Sequence, residues 1–226
     1  MLHRPFIFED TTSKTTPQTI WTSEDGLVLK TFTGEQARPY IEHIAHLRIT
    51  MFKEFPYLYE GSFDGEKKHL ETYCSSPKYL VLLLLKDTHV VGFFNAIPLA
   101  ENGPDSLSEI QAPFIAQGID MAPYLYVGEV MVLKEFRRPH LIQFLYAYGE
   151  ALARELGKDY LIFAMVKRPR EHLARPADYQ SLELLCAYFG FAIMKGMEIH
   201  ASWKQIDTQK KEPNTLAIWC KKVTQE

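Results

Sequence analysis

The chain has three cysteines in 226 residues, Cys74, Cys186 and Cys220, and no Cys-x-x-Cys pair. An odd number of widely spaced thiols argues against a disulfide framework and fits a reducing compartment. Charge of one sign is also missing. Lys and Arg number 25 against 28 Asp and Glu, a net charge of −3. That excludes the broad basic field of a general nucleic-acid binder, although a local basic site stays open. No long apolar run occurs. The most apolar stretch, Tyr79 to Ala100, is broken by Lys86-Asp87-Thr88-His89, which a membrane span would not place at its centre. The first residues, MLHRPFIFEDTTSK, turn polar and acidic after three apolar residues, so no signal peptide is expected. Gly-x-Gly-x-x-Gly, the P-loop motif, Gly-x-Ser-x-Gly and His-Glu-x-x-His are all absent. The expectation is a cytoplasmic protein with no nucleic-acid or membrane partner.

What is present describes a globular domain. Aromatics reach 13% and apolar residues 46%, too many for a disordered chain. Residues 1–25, rich in Ser and Thr, read as an irregular extension, and 26–226 as one domain. Leu27 to Thr33 reads as a strand. Ile41, Ile44, Leu47, Arg48, Met51, Phe52 and Phe55 recur at helical spacing, and Pro56 ends that helix. A second helix is expected from Asp64 to Cys74. Tyr79 to Leu85 and His89 to Ile97 form a hairpin signal around Lys86-Asp87-Thr88. Gly92 marks a bulge or a close backbone approach. Residues 100–123 read as a long connection. Tyr124 to Leu133 is a strand, and Pro139 opens an amphipathic helix to Leu156, capped by Gly157. A strand at Tyr160 to Val166 follows, then a short helix from Ser181 to Phe189. Phe191 to Met194 and Leu216 to Cys220 read as last strands, with Ile199 to Trp203 a candidate extension of the first. The order defines an α/β fold with a mixed sheet.

Tyr124 to Phe191 carries a combination of features. A strand ends in Val130-Met131-Val132-Leu133, and the turn Phe136-Arg137-Arg138 enters a long helix. A buried strand and a short helix follow, closing on Tyr188-Phe189-Gly190-Phe191. This combination resembles the GNAT superfamily of acyl-CoA-dependent N-acyltransferases, and the resemblance extends over about residues 26–222. It implies a mixed sheet of six to seven strands with helices on both faces, splayed beside Val130 to Leu133. Acetyl-CoA would be the cosubstrate, an amine the acceptor, no metal would be needed, and a homodimer is allowed.

The resemblance also assigns residues. Met131, Val132 and Leu133 would border the pantetheine arm. Arg137, Arg138, His140, Leu141 and Ile142 would form the pyrophosphate turn, with Ser181 nearby. Family members carry Arg/Gln-x-x-Gly-x-Gly/Ala there, so that backbone N–H groups and a helix N-terminus hold the phosphates. Here His140 and Ile142 stand at the glycine positions, and Pro139 removes an N–H. Glu129 is the candidate general base, with a plain ion pair to a nearby Arg or Tyr as the alternative. Cys186 stands where the family places a proton-donating Tyr, and a buried core thiol is the alternative. Tyr57, Tyr59 and Glu60 would border a cationic acceptor, or pack under their loop. Arg168 and His172 would meet an anionic part of the substrate, or join a structural network. The departures leave a second function open, a degenerate GNAT domain that binds a ligand or partner without turnover.

Overall fold

A computed structural model describes residues 17–103, 105–206 and 208–223. Residues 1–16 of the expected extension lie outside this range. One sheet of eight strands forms the body, in the order β1-β2-β3-β4-β5-β6-β8-β7. The strands are β1 (Gln18–Thr22), β2 (Leu27–Thr33), β3 (Leu80–Lys86), β4 (His89–Pro98), β5 (Tyr124–Val132), β6 (Tyr160–Val166), β7 (Ala192–Lys204) and β8 (Lys211–Lys222). The helices are α1 (Gly34–Ala37), α2 (Ile41–Phe52), α3 (Phe63–Cys74), α4 (Asp105–Ala116), α5 (Pro139–Glu155) and α6 (Glu183–Tyr188).

The sheet has one strand more than the upper end of the expected six to seven. The addition is β1, inside the stretch read as irregular. Its Thr-rich sequence has too little apolar alternation to read alone, and its order comes from antiparallel pairing to β2. The long connection holds α4, whose apolar face (Leu107, Ile110, Phe114) is buried. Gly92 sits at a close approach of backbones: a Cβ there would lie 3.0 Å from the Met131 carbonyl oxygen of the next strand.

Both faces of the sheet are covered, which explains the unbroken apolar run of β3. On one face α2, α3 and α4 bury Ile44, Leu47, Leu70 and Phe114 against Val81, Leu83, Phe93 and Ile162. On the other α5 and α6 bury Leu141, Leu145, Leu152 and Cys186 against Leu82, Phe94, Leu125 and Leu161. Ser62 starts α3 by accepting the Gly65 N–H at 3.2 Å.

Among the described strands the only parallel neighbours, β5 and β6, are joined by α5. They pair at Tyr124–Tyr160, Leu125–Leu161 and Tyr126–Ile162, and no further. Past Tyr126, β5 stays paired with β4 as far as Val132. Past Ile162, β6 stays paired with β8 as far as Val166. The sheet therefore opens in a V between β5 and β6, leaving strand edges with hydrogen-bonding capacity facing the gap.

Candidate functional site

The V is bordered by β5, and β5 is irregular where chemistry would need it. Asn95 pairs with Glu129 and Ala96 with Val127, so Gly128 has no opposite number. It is a bulge, and one extra residue reverses the alternation of everything after it. Before it, Tyr124 and Tyr126 face the α2 side and Leu125 and Val127 the α5 side. After it, Glu129 and Met131 face the α2 side and Val132 the α5 side. Gly128 is required by space: a Cβ would sit 2.3 Å from Asn95 Oδ1.

The bulge aims Glu129 at Arg48 of α2. Arg48 binds two carboxylates at once. Its Nε reaches Glu66 Oε2 of α3 at 2.5 Å, and its Nη1 lies against Glu129 Oε1. The side chains are 8% (Arg48), 3% (Glu66) and 13% (Glu129) exposed. Among the described residues Glu129 Oε2 has no hydrogen-bond partner. One oxygen of the candidate base is thus clamped, and the other is unused by the fold. Arg48 carries a charge on the apolar stripe of its helix, which is the signal sequence reading could have followed. Glu66 gave no such signal.

Around the triad stand groups that remain neutral near pH 7. Burial pushes the Tyr57 and Tyr59 phenols up to about 12. Tyr59 also hydrogen-bonds Glu66. Burial, helped by the Arg48 charge, lowers His69 to about 4. Tyr126 and Tyr79 are pushed well up by burial.

The other expected acceptor residues are tied into two packed loops. Arg168 donates from Nε to the Pro56 carbonyl at 2.7 Å and from Nη2 to the Tyr57 carbonyl at 3.2 Å. Trp203 Nε1 donates to the same Tyr57 oxygen at 3.0 Å. Glu60 pairs with Lys204 at 2.7 Å. His172 packs on Phe55 at 5.6 Å, and its Nδ1 accepts the Ala174 N–H. Tyr57 and Tyr59 both pack on Phe52, whose ring also lies under Arg48. Tyr57 and Tyr59 thus adjoin the triad, while Arg168 and His172 hold the loop that carries them.

At the start of α5, Pro139 occupies the first helical position. Leu141 N–H and Ile142 N–H both turn back to the Arg138 carbonyl, at 3.1 and 3.2 Å. Arg137 donates from Nε to the Val132 carbonyl at 2.9 Å. Arg138 donates from Nη1 to the Glu135 and Arg137 carbonyls at 2.9 and 3.0 Å. His140 is exposed and lies 6.0 Å from the Trp21 ring of β1. Leu141 is core and Ile142 half-buried. The turn thus braces itself with side chains where glycine-rich turns use backbone.

Cys186 is 2% exposed on the α5 side, the opposite face from Glu129, with Tyr146 Oη 4.0 Å from its sulfur. Burial raises its thiol. Ser181 Oγ accepts the Glu183 N–H at 3.3 Å ahead of α6. Among the described residues, no group of three or more His, Cys, Asp or Glu side chains is arranged to hold a metal ion. No described helix is long and apolar enough to cross a membrane.

A mixed sheet parted between two parallel strands, with a long crossover helix between them, is the fold of the GNAT acetyltransferases. Solved structures agree. An acetyltransferase from Thermus thermophilus matches at TM-score 0.51 and 14% identity, over 91% of this chain and 99% of its own. A GNAT-family acetyltransferase from Staphylococcus aureus matches at TM-score 0.53 and 12% identity, over 87% and 99%. An aminoglycoside 6'-N-acetyltransferase complexed with coenzyme A matches at 0.51 and 14%, over 87% and 98%. No protein-family model matches the chain, and no curated protein matches it by sequence.

Proposed function

We propose that the protein transfers an acetyl group from acetyl-CoA to a primary amine of a small molecule or peptide by direct attack. The observation that carries this is Glu129: it sits on the strand bordering the V, with one oxygen held by Arg48 and the other without a hydrogen-bond partner among the described residues. A carboxylate so placed suits a general base. The amine nitrogen forms a bond to the acetyl carbonyl carbon, the carbon–sulfur bond breaks, and the thiolate departs. The proton released by the nitrogen passes to Glu129 Oε2. Tyr57 and Tyr59 would receive the amine as apolar walls beside that carboxylate. The open edge of β5 at Met131 and Val132, continuing to Leu133, would pair with the pantetheine arm.

The start of α5 fits the diphosphate in a changed form. Arg137 and Arg138 bring positive charge beside His140 to the first end of a 17-residue helix, where its dipole favours an anion. The known members that bind coenzyme A, such as the aminoglycoside enzyme above, support acetyl-CoA as the cosubstrate. We assign Cys186 to the core and not to proton donation, because its thiol is enclosed on the far face of the sheet.

A second reading, a binding domain without turnover, is favoured by Pro139 and by the Leu141 N–H turned back on Arg138. Calorimetry with acetyl-CoA and CoA tests both. Binding of either at micromolar to millimolar concentration is expected, and none at millimolar ligand removes the enzyme reading. With binding in hand, Glu129→Gln should lower acetyl-CoA turnover about 100-fold or more and leave CoA affinity nearly unchanged. Full turnover in that variant would leave a binding site without this base.

A further inference from the structure

The geometry points to Arg48 and Glu66 as positioning residues that together set the proton affinity and orientation of Glu129. One guanidinium serves two carboxylates, so the group, if fully ionised, would carry one negative charge more than positive. Glu129 therefore receives only a share of the Arg48 charge and also feels the Glu66 charge across the same guanidinium. A carboxylate given a whole guanidinium in a buried place is a weak base. A carboxylate given none would be driven to protonate. Sharing places Glu129 between these limits, while the Arg48 contact on Oε1 leaves Oε2 as the atom to take a proton.

The surroundings leave Arg48 and Glu66 as the charges that decide this. Asn95, opposite Glu129 on β4, is an uncharged amide. From β5 and β3, Tyr126 and Tyr79 are held neutral by burial. From α3, Tyr73 is neutral for the same reason, and His69 is neutral above about pH 4. From the loop after α2, Tyr57 and Tyr59 are neutral, and Tyr59 spends its hydroxyl on Glu66. From α4, the exposed Glu109 acts on Tyr73 and Tyr126, raising both phenols.

The use of this device rests on the acetyltransferase reading, but its measurement does not. Protein labelled with 13C at the Glu side-chain carboxyl is titrated by NMR, with the Glu129 signal assigned from the spectrum of Glu129→Gln. In Glu66→Gln the amide keeps the shape but not the charge, and Arg48 passes wholly to Glu129. The Glu129 midpoint should fall by about one unit, and Glu66→Asp should restore much of it. Arg48→Gln should move the midpoint upward. An unchanged or raised midpoint in Glu66→Gln overturns the inference, and that variant alone decides if Arg48→Gln does not fold. Absence of acetyl-CoA binding in calorimetry would instead strike the enzyme reading and leave the titration result standing.

Discussion

Two arginine sites in this molecule solve opposite problems. Arg48 is buried among apolar residues and is ion-paired with two carboxylates. Arg137 and Arg138, at the start of α5, are partly or wholly exposed and bond to carbonyls at the end of β5 and in the turn, with Asp25 3.6 Å from Arg138. A charge sealed in the fold must have fixed partners, because nothing else offsets its desolvation. A charge at the rim keeps water as a second partner and can exchange a carbonyl for a ligand at little cost. The first site is therefore fixed by its partners, and the second can exchange them.

The largest effect should come from breaking the buried side of that contrast. Arg48→Met leaves Glu66 and Glu129 facing each other without a cation. We expect a loss of about 3–5 kcal/mol in folding stability, read from urea denaturation at neutral pH. A loss under about 1 kcal/mol would place Arg48 with the rim arginines.

Gly128→Ala attacks the same geometry through the backbone. The new Cβ would fall 2.3 Å from Asn95 Oδ1, and a buried short side chain has little room to yield. A loss of about 2 kcal/mol is expected. Asn95→Ala should recover part of it in a double-mutant cycle, because it removes the atom that clashes. Strictly additive losses would show that the bulge itself, and not the Asn95 contact, demands glycine.

His69 supplies a pH-dependent version of the test. Its folded pKa, about 4, lies below the ordinary value of 6.5. Between these values the unfolded chain binds the proton and the folded chain does not, so stability falls as pH drops from 6.5 towards 4 and levels off below. Discounted for the partial exposure of the ring, the loss is on the order of 2 kcal/mol. His69→Phe should flatten this part of the stability–pH curve. A curve of unchanged slope would mean the ring reaches water before the triad feels it.

Most elements could be read from residue patterns because local order carries them: the β3–β4 hairpin from its two apolar runs, and α5 from Pro139, its apolar face and Gly157. Elements that depend on distant partners could not. β1 is a strand because β2 lies beside it, and α4, with Pro113 inside and polar residues ahead, is a helix because its apolar face packs in the core. The same division runs through the site. Glu129 could be placed on a strand before a turn. The face it points to depends on Gly128 lacking a partner in β4, which no local pattern states. Arg48 could be placed on an apolar helical stripe, but its partners lie on α3 and β5. Arg168 read either as a ligand for an anion or as part of a structural network, and which remote loop takes its Nε and Nη2 donors is stated by no local pattern.

The smallest expected effect on folding is also the most informative about the rim. Arg137→Ala removes one bond, Nε to the Val132 carbonyl, at a half-exposed place where water can replace the donor. Stability should fall by less than about 1 kcal/mol. If the turn receives a diphosphate, CoA affinity should fall about tenfold or more, because a guanidinium–phosphate contact is charge-assisted. The remaining affinity should also depend less on salt, since one cation fewer faces the anion. The two numbers must separate for the contrast with Arg48 to hold. Large stability loss with unchanged CoA affinity would make Arg137 a strut between β5 and α5, and the recognition of phosphate would then fall to Arg138, His140 and the helix end.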